Sequence, residues 1–597
     1  MMNRICKYVF LLWGVLSCIL LYVGPYFFPQ KEATQSLSYN VGFNNAVGFM
    51  ILGGICCFLI GFGYFYRSNM SVPHFWISFK NKDNQLLLWS GIFITLLLLL
   101  FEYILLNREE FYGINESSTF FRYNYALSHG IKVYRDIQGL YGPLFIYPTY
   151  LLTLLGLGLT SSYFIILAIY HSIGLIFLYD LLSHTVLCRL EKRLVFISCA
   201  VALFPWTLGL NYCLLRCVLV LWLFKAVTLS NSNSFFVCVY ILLSTFFALN
   251  CSPELGICLS TGFVIYYVIR FVLFRKSVYL TFSLCPISVL LLTVYLIPNY
   301  LTSVVQAGSG GYNFPYVPNL ILTFLFFSLF AISVYAGKGI KNLKENLWQL
   351  AMTLMAVMTL PYSLGRCDNL HVLLGSFFVL IMGMYYLKTY FHRYIVYTFF
   401  VLSILSYVMF HARAVALNII YCAVDINTDR ILSIKDFSEK HSLPFPSFID
   451  KNRLKKHRYT YANSPDDYDL LVGLTSTTCI STNNLIYEYL YAHSDFKETY
   501  YGVYLDWVGT KDGLQKEMCN LREIDVDYII LPRYYLQRCL SYSDMQYVTL
   551  FFSTYYNVKE YRHFNNELYG DMVKFIEDHY SIKKYNNKLE VWKKKGI

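Results

Sequence analysis

Apolar runs of about 18–22 residues recur along almost all of the first 412 residues, and this recurrence limits what the chain can fold into. A helix of that length covers roughly the 30 Å hydrocarbon core of a bilayer. In lipid the backbone must satisfy its own hydrogen bonds, so such runs cross as helices. Charged residues make up 14% of the chain and hydrophobic residues 57%. Soluble domains carry nearer about 25% charged residues. The chain therefore reads as a polytopic α-helical membrane protein. Its net charge of +12 follows from loop lysines and arginines, with no basic face on a soluble domain of the kind nucleic acid requires. The 17 cysteines sit mostly inside apolar runs, where a thiol acts as a small hydrophobe. Cys422, Cys479, Cys519 and Cys539 lie in the polar C-terminal third and could pair there if it is outside the cytoplasm.

Hydropathy places thirteen spans, centred near residues 18, 54, 96, 171, 202, 221, 242, 264, 287, 326, 355, 378 and 402. Charge then orients them. With the N-terminus inside, the cytoplasmic set is Arg4, Lys7, Arg67, Lys80, Lys82, Arg189, Lys192, Arg193, Arg270, Arg275, Lys276, Lys338, Lys341, Lys344, Lys388 and Arg393. The outer set is smaller: Lys31, Arg108, Arg122, Lys132, Arg135, Arg216 and Arg366. Cytoplasmic loops collect lysine and arginine, so this orientation is the one expected. It requires the segment 143–157, interrupted by Pro148, to lie at the outer interface without crossing. The membrane domain then spans 1–412, with an outer loop at 107–142. An extracytoplasmic α/β domain follows over 413–597. Within it, Tyr468–Leu474 and Val526–Pro532 read as buried strands, while LIYEYLYAHS and YGDMVKFIEDHY have helical periodicity.

This topology gathers the chemically capable residues on one side: Glu116, Arg135, Asp136, Arg216, Glu254, Arg366, Asp368 and His371. Charges near lipid pair or line a wet cavity. Glu116 can serve as a general base, or cap a surface helix beside Asn115 and Ser117. Asp136 can act on substrate, or simply pair with Arg135 or Lys132. Ser252-Pro253-Glu254 also suits a plain helix start, with proline at the first position and an acid at the positive end. Arg366 can take a phosphate in a bidentate grip, and Asp368 can be a helix cap with His371 one turn on. Arg216 can bind phosphate or snorkel. His171 reads as a packed core histidine. No phosphate-binding loop or dinucleotide glycine fingerprint occurs, so an activated donor would be a lipid already in the membrane.

GINESSTFFRYNYALSHGIKVYRDIQGLYGPL resembles the first outer loop of bacterial GT-C glycosyltransferases, in particular the protein O-mannosyltransferase and lipid A aminoarabinose transferase group. That loop carries an acid or acid pair, an aromatic-rich amphipathic helix, a glycine, Tyr-Arg-Asp and then Gly-Pro-Leu. Glu116, Gly130, Tyr134-Arg135-Asp136 and Gly142-Pro143-Leu144 match it. SLGRCDNLHVL is similar to a later Arg-x-Asp-x-x-His segment, and CSPELG to an acidic outer segment of the same group. Asn115 stands where the family has a second acid, Glu109-Glu110 is an alternative pair, and Val133 replaces a proline.

The resemblance implies an enzyme of a bacterial plasma (inner) membrane. It would invert at the sugar while moving it from a polyprenyl-phosphate donor to a lipid, glycan or protein acceptor on the outer face. Glu116 would be the base, with Asp136 beside it. Arg135, Arg216, Arg366 and His371 would hold the donor phosphate, with Glu254 and Asp368 in support. The loop helix and the segment from Pro143 would hold the lipid chain. Some relatives use a divalent cation at the loop acids. The competing readings are a polymerase or ligase of lipid-pyrophosphate glycans, and a transporter of lipid-linked glycans.

Overall fold

The structure is a computed structural model. It describes residues 8–9, 12–16, 19, 45–65, 85–106, 117–137, 139, 141–183, 189–202, 209–210, 213–228, 233–309, 320–341, 343–360, 362–363, 369–388, 390–404, 469–471, 473–474, 477–479, 511–533, 535–540, 547–548, 553–554, 558–586 and 589–596. The N-terminal two thirds is helical: α1 (Asn45–Phe65), α2 (Gln85–Leu106), α3 (Ser117–Ser128), α4 (Pro143–Leu154), α5 (Leu159–Ser183), α6 (Arg189–Ala202) and α7 (Leu214–Thr228). There follow α8 (Ser234–Cys251), α9 (Pro253–Phe274), α10 (Val278–Leu296), α11 (Tyr300–Ser309), α12 (Leu320–Lys341), α13 (Leu347–Met358), α14 (Asn369–Leu387) and α15 (Arg393–Ile404).

Among the described residues, five segments are long and apolar enough to cross a membrane: Leu159–Leu182, Ser234–Cys251, Pro253–Phe274, Val278–Leu296 and Leu320–Ile340. For the span expected near residue 202 the described part is helix α6, 14 residues that open on Arg189, Glu191, Lys192 and Arg193; residues 203–208, which follow it, lie outside the described residues. Helix α4 has 12 residues, which is about 18 Å of helix and well short of a bilayer core.

Contacts between helix ends define two ends of this bundle. The first residues of α7 and α9 meet through Arg216 and Glu254. The last turns of α5 and α7 meet through Asp180, which accepts hydrogen bonds from Lys225 Nζ at 2.8 Å and Trp222 Nε1 at 3.1 Å. Lys388, just after α14, pairs with Glu191 at the start of α6 at 3.5 Å. At the last turn of α9, Arg270 donates to Tyr279 Oη at 2.9 Å and lies over that ring. The helices also meet in close approaches at glycine. At Gly174 a Cβ would stand 2.6 Å from Leu215 N, and at Gly337 it would collide with the Ile60 carbonyl.

The connection from α3 to α4 closes the first end. Helix α3 stops in a Schellman motif: Ile131 N–H bonds to Ala126 O and Gly130 N–H to Leu127 O, both 3.0 Å, with Gly130 at φ 79°. Glycine suits this left-handed position because it lacks a Cβ. Expected as amphipathic, α3 is instead buried at every residue from Thr119 to Ala126. Phe120 stacks on Tyr141 at 5.0 Å and tilts against Tyr163 at 5.6 Å. From Thr119 to Ala126 the helix is enclosed by protein.

In the C-terminal third, strands β1 (Thr477–Cys479), β2 (Tyr528–Pro532), β5 (Tyr580–Tyr585) and β6 (Leu589–Lys594) form a sheet in the order β1-β2-β6-β5. The β1–β2 pair is parallel and the other two pairs are antiparallel. Helices α16 (Lys511–Ile524), α17 (Tyr535–Leu540) and α18 (Val558–His579) and a small ladder of β3 (Tyr547–Val548) with β4 (Ser553–Thr554) accompany it. The strand expected at Val526–Pro532 is β2. The helical stretch YGDMVKFIEDHY is the end of α18, with Tyr580 already in β5. The strand expected at Tyr468–Leu474 is a turn instead: Gly473 is left-handed at φ 74° and Leu474 N–H bonds to Leu471 O at 3.2 Å. Its leucines bury without extension because spacing by three serves a turn as well as alternation serves a strand. The helical stretch LIYEYLYAHS lies outside the described residues.

Gly142 carries the sharpest steric demand at the closed end, since a Cβ there would overlap the Asn250 carbonyl oxygen. Gly142→Ala is expected to cost about 1–3 kcal/mol by overpacking. Gly53→Ala, where nothing lies within 4 Å, is expected to be neutral or slightly stabilising. Thermal unfolding of both variants in detergent measures the difference.

Candidate functional site

The loop between α3 and α4 is built around Tyr134. This residue adopts φ 71°, which is costly for a bulky side chain. Three contacts hold it. Its N–H bonds to Ile137 O at 2.8 Å. Its buried ring occupies the space a Cβ at Gly139 would need. Its hydroxyl donates to Tyr141 O. Burial pushes the Tyr134 phenol well above its usual pKa, so the hydroxyl stays a donor. The ring lies 5.9 Å from that of Tyr300, whose hydroxyl donates to Leu249 O at 2.8 Å. The loop is thereby tied to the α8–α9 turn, which Gly142 also touches.

With Tyr134 turned inward, the next two residues face outward. Asp136 accepts from Arg135 Nε at 2.7 Å, from Arg135 Nη2 at 3.1 Å and from the Lys132 N–H at 2.9 Å. Arg135 first, and the Lys132 N–H second, hold the Asp136 carboxyl below the usual carboxylate range. The expected local ion pair thus forms, and Asp136 stays ionised at neutral pH.

The second pair lies where α7 and α9 begin. Arg216 is buried; it pairs with Glu254, donates from Nε to Ser252 Oγ at 3.0 Å, and lies over the Tyr362 ring at 5.1 Å. It does not snorkel to a solvated surface. Glu254 keeps 31% of its side-chain surface exposed, against 7% for Arg216. Pro253 begins α9 from an extended Ser252, and Glu254 stands in the first turn as the sequence suggests. The helix start and the ion pair are therefore one feature. His171 is buried in the bundle, where its Nδ1 accepts from Leu214 N–H at 3.5 Å.

The structure brings Arg216 and Glu254 into contact, joins Arg135 to Asp136, and places both pairs at the same end of the bundle. Glu116, Arg366 and Asp368 lie outside the described residues, and His371 is placed only by its backbone in the first turn of α14. Tyr362 and Tyr300 were not singled out from the sequence, and Ser252 and Tyr134 entered only as parts of a helix start and of a motif. The signal that could have pointed to them is the pair of glycines Gly139 and Gly142, where a Cβ would meet Tyr134 and the Asn250 carbonyl. Cys519 is a free thiol. Among the described residues no group of three or more His, Cys, Asp or Glu side chains could hold a metal ion. Both described acids of the site are engaged by arginine, which does not fit a cation site built on them. Compared with models of protein families and with curated proteins, the chain matches none.

Two outcomes follow. Arg216→Met or Glu254→Gln each strands a charge or polar group, at an expected cost of about 1–3 kcal/mol given the partial exposure of Glu254. The double variant Arg216→Met/Glu254→Met should recover part of it, and chemical unfolding of the cycle reports the coupling. For Asp136, a depressed folded pKa contributes stability above the unfolded value of about 3.9, lost as pH falls through the folded value. The protection factors of the loop amides, with the intrinsic pH dependence of exchange divided out, should therefore fall on acidification below about pH 4 in the parent protein, with Asp136→Asn showing no such step.

Proposed function

We propose that the protein is a membrane glycosyltransferase of the GT-C type, moving a sugar from a polyprenyl-phosphate donor to an acceptor hydroxyl at the extracytoplasmic face. The observation that carries this reading is the convergence of Arg216, Glu254 and the Arg135–Asp136 loop at one end of a lipid-embedded bundle. Lys225, Arg270, Lys388 and the cation-rich start of α6 mark the other end. That division matches the orientation rule with the loop end outside. In this reading the C-terminal α/β domain is also outside, which its sheet's packing at the loop end supports. The remaining expected spans, thirteen in all, complete the membrane domain, with α4 at the outer interface.

In the reaction, the acceptor oxygen attacks the anomeric carbon as the bond from that carbon to the phosphate oxygen breaks. A carboxylate, Glu116 in this reading, takes the hydroxyl proton, and polyprenyl phosphate leaves with inversion at the sugar. Charge develops on the departing phosphate, and positive groups already fixed in place stabilise it without reorganising. Arg216 is oriented for this by Ser252, Glu254 and Tyr362. Arg366 and His371, from the segment after Tyr362, would complete the cradle. Asp136, kept anionic by Arg135, would orient the acceptor. The acceptor can be a lipid, a glycan or a protein.

Purified Glu116→Gln and Asp136→Asn, assayed with labelled polyprenyl-phosphate hexose and pentose donors, should lose about 10²–10⁴ in transfer rate. Normal rates in both variants contradict the proposal. The product should carry one added sugar; a ladder of lengths would favour the polymerase reading.

A further inference from the structure

We infer that the C-terminal sheet is a positioning element for the 131–141 loop, and that the loop end of the helical bundle is the cover its second face requires. The argument starts from strand alternation. Successive residues of a strand point to opposite faces. In β2, Ile529 and Leu531 belong to the buried cluster made with Met518 and Leu521 of α16 and with Met572, Val573 and Ile576 of α18. The residue between them, Ile530, belongs to a different cluster. Register with β6 agrees: Ile529 pairs with Trp592, which packs on the helix side, while Ile530 pairs with Val591 and Pro532 with Leu589. Ile530, Leu589 and Val591 therefore share the face away from the helices.

That face is fully buried, with Ile530 and Val591 at 0% exposure. They share one continuous cluster with Leu471 and Leu474 and with Val133, Tyr134, Ile137 and Tyr141 of the loop. A sheet covered by helices on one side only would leave this apolar face in water. Here the turn at residues 469–474 and the loop cover it. The relation is mutual. Tyr134 holds a strained backbone that needs surroundings to over-determine it, and the sheet face contributes to the cluster that surrounds it. The sheet thus acts through Tyr134 on the outward Arg135 and Asp136, without touching substrate. This holds whichever reaction the loop serves.

The test is amide exchange by mass spectrometry on the full-length protein in detergent, comparing the parent with Ile530→Ser/Val591→Ser. Exchange over residues 131–141 should quicken about tenfold or more in the variant, while 253–274 stay as protected as in the parent. Ile530→Val should restore protection. Trp592→Phe, on the helix-facing side, should leave the loop unchanged. Should the double variant not be recovered, Leu474→Ala provides the same comparison. Unchanged loop exchange in a variant whose β2 and β6 have lost protection would overturn the inference. Because the readout is exchange, this failure is distinct from failure of the glycosyltransferase reading. Where transfer is measurable, the loosened loop should lower kcat more than it raises KM.

Discussion

Lipid offers no hydrogen bonds, and that constraint organises the molecule. Every charge must be paired, carried to a helix end, or both. Arg216 and Glu254 do both: they stand in the first turns of α7 and α9 and meet there. Asp180 with Lys225, and Glu191 with Lys388, do the same at the opposite end. Helices also approach through Gly174 and Gly337, because without a hydrophobic drive between helices close van der Waals contact must supply the attachment. The outcome is a bundle with two chemically different ends and an apolar middle.

The loop end is the more elaborately built. A Schellman stop at Gly130, an inverted Tyr134, Gly139 under its ring and Gly142 against Asn250 leave the backbone few alternatives between α3 and α4. Rigidity of this kind suits a site that must hold fixed charges against a developing negative charge. The same contacts tie the loop to the α8–α9 turn through Tyr300, so the two arginine–carboxylate pairs sit on one framework.

Much of the membrane part was legible because hydropathy and lipid physics leave few options. Helices appear where apolar runs predicted them, and Pro253 with Glu254 announced a helix start. The run at Tyr468–Leu474 was ambiguous for the reason short apolar runs always are: turn and strand both bury leucines, and Gly473 decided for the turn. Of the site, the residue types at the loop end could be read, including the local pairing of Asp136 with Arg135. The partnership of Arg216 with Glu254 could not, since 38 positions separate them along the chain and only the folding of α8 back onto α7 joins them. Tyr134 was legible as part of a motif, yet its left-handed backbone is a property of the surrounding packing.

The central claim is that the loop end receives an anionic, lipid-linked substrate. A density map of the protein in lipid nanodiscs with added polyprenyl phosphate tests it most directly. The account predicts phosphate density at the loop end, within hydrogen-bonding reach of Arg216 and beside the start of α14. Phosphate density at the opposite end, among Lys225, Arg270 and Lys388, would contradict it, as would a loop end without phosphate density at saturating lipid.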